Sequence, residues 1–270
     1  MSLIADEIDL TELLEFHNEG LQGWTFDEHI RRDGYSLIFS SLIEDTYYNY
    51  LCAGPETSLE ACLAEEHEFH ERGRELAVYV PYAGTLGDEL SAAGFSEAAK
   101  DVWLVNSLPT IKEVEMPDGM ETVVVDGSNQ TDVEQFLDVF AAAFSGAETD
   151  DPYGAVDRTY REAMERAIYS GNEREYPSLA TLARLDGQPV AMSHVLLCGE
   201  WVGGYGLGTV PSARRTGLSD VLRDVVLADV LNRGATKFFM QTEYGSKNHT
   251  IFLGWGFQTL RSATYYVRAV

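Results

Sequence analysis

The stretch Gly206-Leu207-Gly208-Thr209-Val210-Pro211-Ser212-Ala213-Arg214-Arg215-Thr216-Gly217-Leu218-Ser219-Asp220-Val221-Leu222 decides how the rest of the chain is read. A strand ends, a loop of small residues turns, and an amphipathic helix begins. Such a turn aims several backbone N–H groups at one place, and the helix dipole adds partial positive charge there, so the segment is built to hold an anion. Arg214 and Arg215 add two full charges in a chain where 19 Lys and Arg face 44 Asp and Glu. The plainer alternative is a strand-to-helix turn with solvated arginines.

Working outward, alternation and turn chemistry predict strands over Ser178–Leu185, Val190–Cys198 and Trp201–Val210, the first two joined by the turn Asp186-Gly187-Gln188-Pro189. Upstream, Glu121–Val125 reads as a strand, and Thr131–Phe144 and Asp157–Ser170 read as amphipathic helices joined by the acidic loop Ser145–Val156. Downstream, a helix from Gly217 to Arg233 closes at Gly234, followed by the strand Lys237–Thr242, the helix Lys247–Gly254 and the strand Thr264–Arg268. The predicted order is β-α-α-β-β-β-α-β-α-β.

The first half repeats this punctuation. A helix ends at Gly73, the strand Leu76–Val80 follows, then Ala93-Gly94-Phe95 and a strand from Val102. The second half has Gly234, a strand, Trp255-Gly256-Phe257 and a strand from Thr264. The spacings Gly73 to Phe95 and Gly234 to Phe257 differ by one residue, and those from each Phe to the last strand are equal. Before residue 50 the match fades: His17, Trp24 and the strand-like Tyr35–Ser40 have no counterpart. The proline- and glycine-bearing segment 109–119 reads as a linker. The expectation is two domains, 1–108 and 120–270. Each is of mixed α/β (α+β) class, with a mainly antiparallel central sheet flanked by helices.

The segment Arg214-Arg215-Thr216-Gly217-Leu218-Ser219, a few residues after Val210-Pro211, resembles the pyrophosphate loop of the GNAT superfamily of acyl-CoA-dependent N-acyltransferases. That loop follows Arg/Gln-x-x-Gly-x-Gly/Ala, and Ser219 stands where the family has a small Gly or Ala. The resemblance extends over residues 120–270, through Phe238–Thr242 and the Gly256-Phe257 pair, with residues 1–108 resembling a degenerate copy. It implies that the backbone of Arg215 through Ser219, with Arg214 alongside, binds the pyrophosphate of acetyl-CoA or another acyl-CoA. It implies further that Thr209 and Val210 hold the pantetheine arm, and it places Asn248 and Phe252 beside the same cofactor. No metal is implied.

The departures matter as much. Four residues before Gly256, where the family often has a tyrosine that protonates the leaving thiolate, this chain has Phe252. The family's usual asparagine is replaced by Gly245, with Asn248 nearby, and Trp201–Val210 lacks the carboxylate that often acts as general base. Acyl transfer to an amine needs a deprotonated amine and a polarised carbonyl. A thiol of pKa about 8.5 is a tolerable leaving group, so a missing acid slows the reaction without forbidding it. Candidate bases are Glu243 and His194, and Tyr244 or Tyr265 could donate a proton. Against these stand a solvated strand-end Glu243 and a satisfied core imidazole at His194.

In the first half the loop Gly54-Pro55-Glu56-Thr57 brings acid where a CoA loop needs cations, and Pro55 to Gly73 is five residues shorter than Pro211 to Gly234. This half is expected not to bind CoA. It would pack against the active copy or wall an acceptor pocket with residues such as Tyr82.

The formal charge of −25, spread along the whole chain, excludes a phosphate-tracking basic surface and so argues against nucleic acid. Self-repulsion of this size is screened at about 1 M salt, where the Debye length is about 3 Å, and suggests a cytoplasmic protein of a salt-accumulating organism. Cys52, Cys62 and Cys198 have no zinc-ligand spacing and read as reduced core residues. His67 and His70 lie one helical turn apart without a third ligand in register, and Gly204–Gly208 lacks the later glycine of a dinucleotide loop. An acidic N-terminus and the lack of any apolar run of about 20 residues argue against a signal peptide and a membrane span. The expected function is transfer of an acetyl or short acyl group from acyl-CoA to a small-molecule amine in a ternary complex. The alternatives are a non-catalytic acyl-CoA-binding regulator and a tandem aminoacyl or thiol-conjugate transferase. The oligomeric state, a homodimer included, is left open.

Overall fold

The structure, a computed structural model, describes residues 8–107, 115–146, 158–170 and 174–268. Most of the linker 109–119 and of the loop Ser145–Val156 lies outside the described residues. Tertiary contacts divide the chain into two compact units. A central unit comprises Val105–Met240, and a split unit comprises Ala5–Leu104 together with Gln241–Val270.

In the central unit, β6 (Met120–Val125), β7 (Ser178–Leu185), β8 (Gln188–Cys198) and β9 (Trp201–Thr209) pair antiparallel in that order, and β10 (Lys237–Glu243) adds to β9 in parallel. The β7–β8 turn works because Asp186 and Gly187 take φ of 51° and 76°, the left-handed values a two-residue hairpin turn demands. Helices α5 (Gln130–Ala143) and α7 (Leu218–Asn232) pack on β8 and β9, and α6 (Arg158–Ser170) packs on α5 and β7. Helix α5 starts where the Asn129 side chain accepts the N–H of Thr131, and it buries Val133, Phe136, Leu137 and Phe140 along one stripe. The elements read from the sequence here hold to within one or two residues at each end.

The split unit has α1 (Leu10–Gly20), β1 (Glu28–Arg32), β2 (Tyr35–Phe39), β3 (Tyr50–Ala53), the short helices α2 (Leu59–Ala64) and α3 (Glu66–Glu71), β4 (Ala77–Val80), α4 (Leu86–Ala92), β5 (Phe95–Ser107), α8 (Lys247–Gly254) and β11 (Gln258–Arg268). Its strand order is β1-β2-β3-β4-β11-β5. β1–β2 and β2–β3 are antiparallel, β3–β4 is parallel and β4–β11 is antiparallel. The chain is therefore of mixed α/β class, with mainly antiparallel sheets flanked by helices.

The compact units are not the contiguous stretches 1–108 and 120–270. The C-terminal strand β11 pairs with β4, from Thr264↔Val80 to Val267↔Ala77, and lies between β4 and β5. Tyr265 stacks 4.4 Å from Tyr79 and 5.5 Å from Tyr50, and Tyr266 joins Leu37, Phe39, Phe69, Val78 and Leu90 in one apolar cluster. These contacts assign residues 241–270 to the split unit.

A second correction concerns the final strand of each half. β5 begins at Phe95 and β11 at Gln258, directly after the Gly-Phe pairs, and not at Val102 and Thr264. Their first residues are mostly solvent-exposed, so no alternation of apolar and polar side chains marks them. Helix α1 also carries no counterpart in the repeat, and its His17 is buried 5.8 Å from Phe26 and 5.6 Å from Trp103, ring centre to ring centre. All three cysteines are free and buried, and burial pushes their thiols up to about 12. Among the described residues no helix is long and apolar enough to cross a membrane.

Candidate functional site

The central unit's sheet opens at β9. The parallel register runs from Trp201↔Lys237 to Gly204↔Met240 and stops there. On its other edge β9 stays paired with β8 as far as Thr209↔Ala191, but His194 faces Gly206 while Val195 faces Gly204, so Tyr205 is an extra residue. Such a bulge bends the strand and increases its local twist. Tyr205–Thr209 therefore lie beyond the pairing with β10. Gly203 makes room beside the bulge: a Cβ there would sit 2.6 Å from the Phe239 ring and 2.7 Å from the Tyr205 ring.

Beyond Thr209 a 3-10 turn, Pro211–Ala213, leads through the loop into α7. Arg215 and Gly217 both adopt left-handed conformations, φ 63° and 86°, and Gly217 is the N-cap of α7. Among the described residues no hydrogen bond is formed by the backbone N–H groups of Arg215 to Ser219. The last two of these belong to the first turn of α7, whose N–H groups have no intrahelical acceptor. Helix α7 is 15 residues long and contributes its dipole. The nearest acid in that turn, Asp220, is 2.8 Å from Arg223, which offsets its charge. The Arg215 side chain is exposed and forms no ion pair among the described residues. The loop thus gathers five donors, a helix terminus and one exposed cation, and it suits a bound anion.

Two neighbours, Arg214 and Val210, are engaged within the fold. Arg214 faces inward: Nε donates to the Thr209 carbonyl at 3.2 Å, and a terminal nitrogen donates to the Ala143 carbonyl at 2.7 Å, tying the end of β9 to the last turn of α5. Val210 has its N–H engaged by the Val190 carbonyl and its own carbonyl engaged by the Ala213 N–H, both at 2.9 Å, so it offers a ligand no free donor. Thr209 keeps a hydroxyl that is buried and lacks a hydrogen-bond partner among the described residues. A buried unsatisfied hydroxyl costs about 1–3 kcal/mol and marks a place where a ligand can be received. Thr216 donates its hydroxyl to the Ala213 carbonyl at 2.7 Å and so helps hold the loop shape.

His194 lies on β8, fully buried, and burial lowers its pKa to about 3. It is neutral at physiological pH and a poor proton acceptor. Glu243, Tyr244, Asn248 and Phe252 belong to the split unit. Glu243 ends β10 and is exposed. Tyr244 is 52% exposed, with its N–H on the Lys100 carbonyl at 2.8 Å and its ring 5.0 Å from the Lys100 ammonium. Asn248 is half-buried on the first turn of α8, and the Phe252 ring packs 5.4 Å from Trp255.

One residue escaped the sequence reading. Asp101, on β5, is 7% exposed and accepts from the Gln241 amide at 2.9 Å. The same amide donates to the Tyr79 hydroxyl at 2.8 Å, and that oxygen also takes the Trp103 indole N–H at 2.6 Å. Burial, with the charge of Glu243 added, raises the Asp101 pKa to about 7. The only sequence signal was a lone acid abutting the apolar run Val102–Val105.

Residues 112–244 match the family model described as "Acetyltransferase (GNAT) domain", and the match ends close to Met240, where the central unit ends. No curated protein matches the sequence. A GCN5-related N-acetyltransferase from Kribbella flavida superposes with a TM-score of 0.66 at 16% identity, covering 96% of this chain and 95% of that one. A functionally unknown conserved protein from Staphylococcus epidermidis gives 0.68 at 13% identity, covering 94% and 98%. A tandem GNAT protein from the clavulanic acid biosynthesis pathway gives 0.61 at 13% identity, covering 86% and 77%. At such identities the likeness is one of fold. Residues 112–244 thus match a GNAT acetyltransferase domain, and the structural neighbours share the fold.

Proposed function

We propose that the protein is an acyl-CoA-dependent N-acyltransferase that moves an acetyl or short acyl group from acyl-CoA to the amine of a small molecule, directly, in a ternary complex. The observation that carries this reading is the run of undonated N–H groups from Arg215 to Ser219 at the start of α7, which suits the pyrophosphate of CoA. Arg215 supplies the cation there, and Arg214 positions the loop from behind. The Thr209 hydroxyl and the β9 edge past Gly204 are suited to the amide-bearing pantetheine arm. The split unit is a degenerate copy of the same fold, with two antiparallel pairings before its parallel one where the central unit has three.

Phe252 favours a second reading, an acyl-CoA-binding regulator, because a phenyl ring cannot protonate a thiolate. Release of CoA with a panel of amines separates the two readings.

The test is calorimetric titration of acetyl-CoA into the full chain in concentrated KCl. One saturable site per chain is expected. Arg215→Glu should weaken it at least about tenfold without lowering thermal stability, the loss of one charge-assisted contact. Arg214→Gln should instead lower stability by about 1–3 kcal/mol, since two part-buried carbonyls lose a charged donor. Absence of binding at roughly millimolar acetyl-CoA overturns the enzyme reading.

A further inference from the structure

All 44 acids of the chain lie before Tyr244, the last of them at Glu243, and residues 244–270 hold Lys247, Arg261 and Arg268 without one Asp or Glu. At the chain's average of one acid in about six residues, the 18 residues 244–261 alone would carry about three. They form α8, the turn at Gly256 and the exposed start of β11, all within the split unit. The tract is not strongly basic in exchange. Arg268 is engaged by Glu66 at 2.5 Å, which leaves Lys247 and the exposed Arg261, the latter without an ion pair among the described residues.

The same tract concentrates exposed apolar surface. Among the described residues seven large apolar side chains are exposed, and three of them, Tyr244, Ile251 and Leu253, fall within ten residues of sequence, at 52%, 37% and 44%. Next to them along the chain, the Phe252 ring lies 5.4 Å from Trp255 and 6.3 Å from Phe257, all three half-buried. Helix α8 has eight residues and buries none of them fully. A helix so short is marginal in water unless a packed face supports it. Asn248 and Phe252, one turn apart, take its half-buried side. Lys247, Thr250, Ile251 and Leu253 are left outside, apart from the two residues that the family resemblance places beside the cofactor.

The charge of this surface decides what it fits. A strongly anionic partner calls for a cluster of cations, and the tract offers two. A two-fold pair of identical chains sets a different condition: the patch meets itself, so any acid within it faces the same acid near the axis. Chains of formal charge −25 repel one another on approach, and like charges brought face to face oppose association. Self-association therefore requires a surface cleared of acid and rich in apolar side chains, with no need for added base. We propose that α8 and the start of β11 form a two-fold interface with a second copy of this chain, with Tyr244, Ile251 and Leu253 as its apolar contacts. The interface goes beyond the acyl-transfer reading and is measurable without acyl-CoA.

The experiment is sedimentation equilibrium of the full chain in about 1 M KCl, where the Debye length is about 3 Å and the general repulsion between copies is screened. Expected is a dimer of the 30.0 kDa chain. Leu253→Glu, which sets one carboxylate from each copy into the paired surface, should raise the dissociation constant at least about tenfold, and the uncharged Ile251→Ser should raise it in the same direction. Both side chains are exposed, so neither substitution disturbs the core, and circular dichroism verifies this. Val124→Glu, at an exposed apolar residue of the central unit, should leave the dimer intact. A monomer at roughly 0.1 mM chain overturns the proposal. So does a dimer that the two α8 substitutions leave unchanged or that Val124→Glu loosens equally.

Discussion

Arg214 turns inward to the carbonyls of Thr209 and Ala143, whereas its neighbour Arg215 takes φ 63° and faces solvent. Adjacent letters of the sequence identified both as cations beside a helix start. Which of them is committed to the fold depends on Ala143, far away along the chain, and so was not legible. The buried titratable groups show the same limit. His17 and His194 have pKa values lowered by burial to about 3, and Asp101 has one raised by burial to about 7. In the unfolded chain these groups return to about 6.5 and 3.9. Between pH 4.5 and 6, roughly, the unfolded state therefore holds two protons on the histidines, and the folded state holds one on Asp101. The histidines make stability fall as pH drops below about 6.5, and Asp101 makes it fall as pH rises through about 7. For these three groups together the net is one proton, or about 1.4 kcal/mol of stability gained per unit rise in pH over that window. Asp101→Asn should steepen the measured slope by about 1.4 kcal/mol per pH unit and stabilise the protein at pH 8, as read by denaturant unfolding in concentrated KCl. An unchanged slope would show that Asp101 is charged in the fold at pH 5.

The elements of the central unit were readable because each strand alternates over one face and each turn carries its glycine. β11 illustrates where that ceases. Its exposed first half has no periodicity, and its choice of β4 as a partner is not a local property. Tyr265 and Tyr266 bring that strand's apolar payload to the split unit, and burying an aromatic side chain of this kind contributes about 3–5 kcal/mol. Two of them rival the whole stability of an ordinary domain, about 5–15 kcal/mol. Removal of residues 258–270 should therefore unfold the split unit and spare the central one. Hydrogen exchange followed by mass spectrometry should show lost protection over β3 and β4, at 50–80, with protection retained over β7 to β9, at 178–204. Equal loss in both stretches would mean that the units do not fold separately.

For the molecule as a whole the formal charge of −25 sets the conditions of stability. The few cations are shared among acids: Arg32 serves Glu65 and Glu68, Arg72 serves Glu28 and Glu68, and Arg161 serves Glu134 and Asp138. Surface pairs of this kind contribute at most about 1 kcal/mol each, too little to balance the repulsion among the acids left over. Raising KCl from low to multimolar concentration should raise the thermal midpoint substantially, whereas a flat profile would mean that the acids are spaced widely enough not to repel. Composition, alternation and turn chemistry by themselves determined the class of the fold, the succession of elements from 120 to 254 and the anion-suited loop before α7, since each depends on residues close along the chain. The pairing of β11 with β4, the inward turn of Arg214 and the burial of Asp101 were decided only by the tertiary structure. Strand partnership and desolvation are set by groups distant in sequence, and no local pattern encodes them.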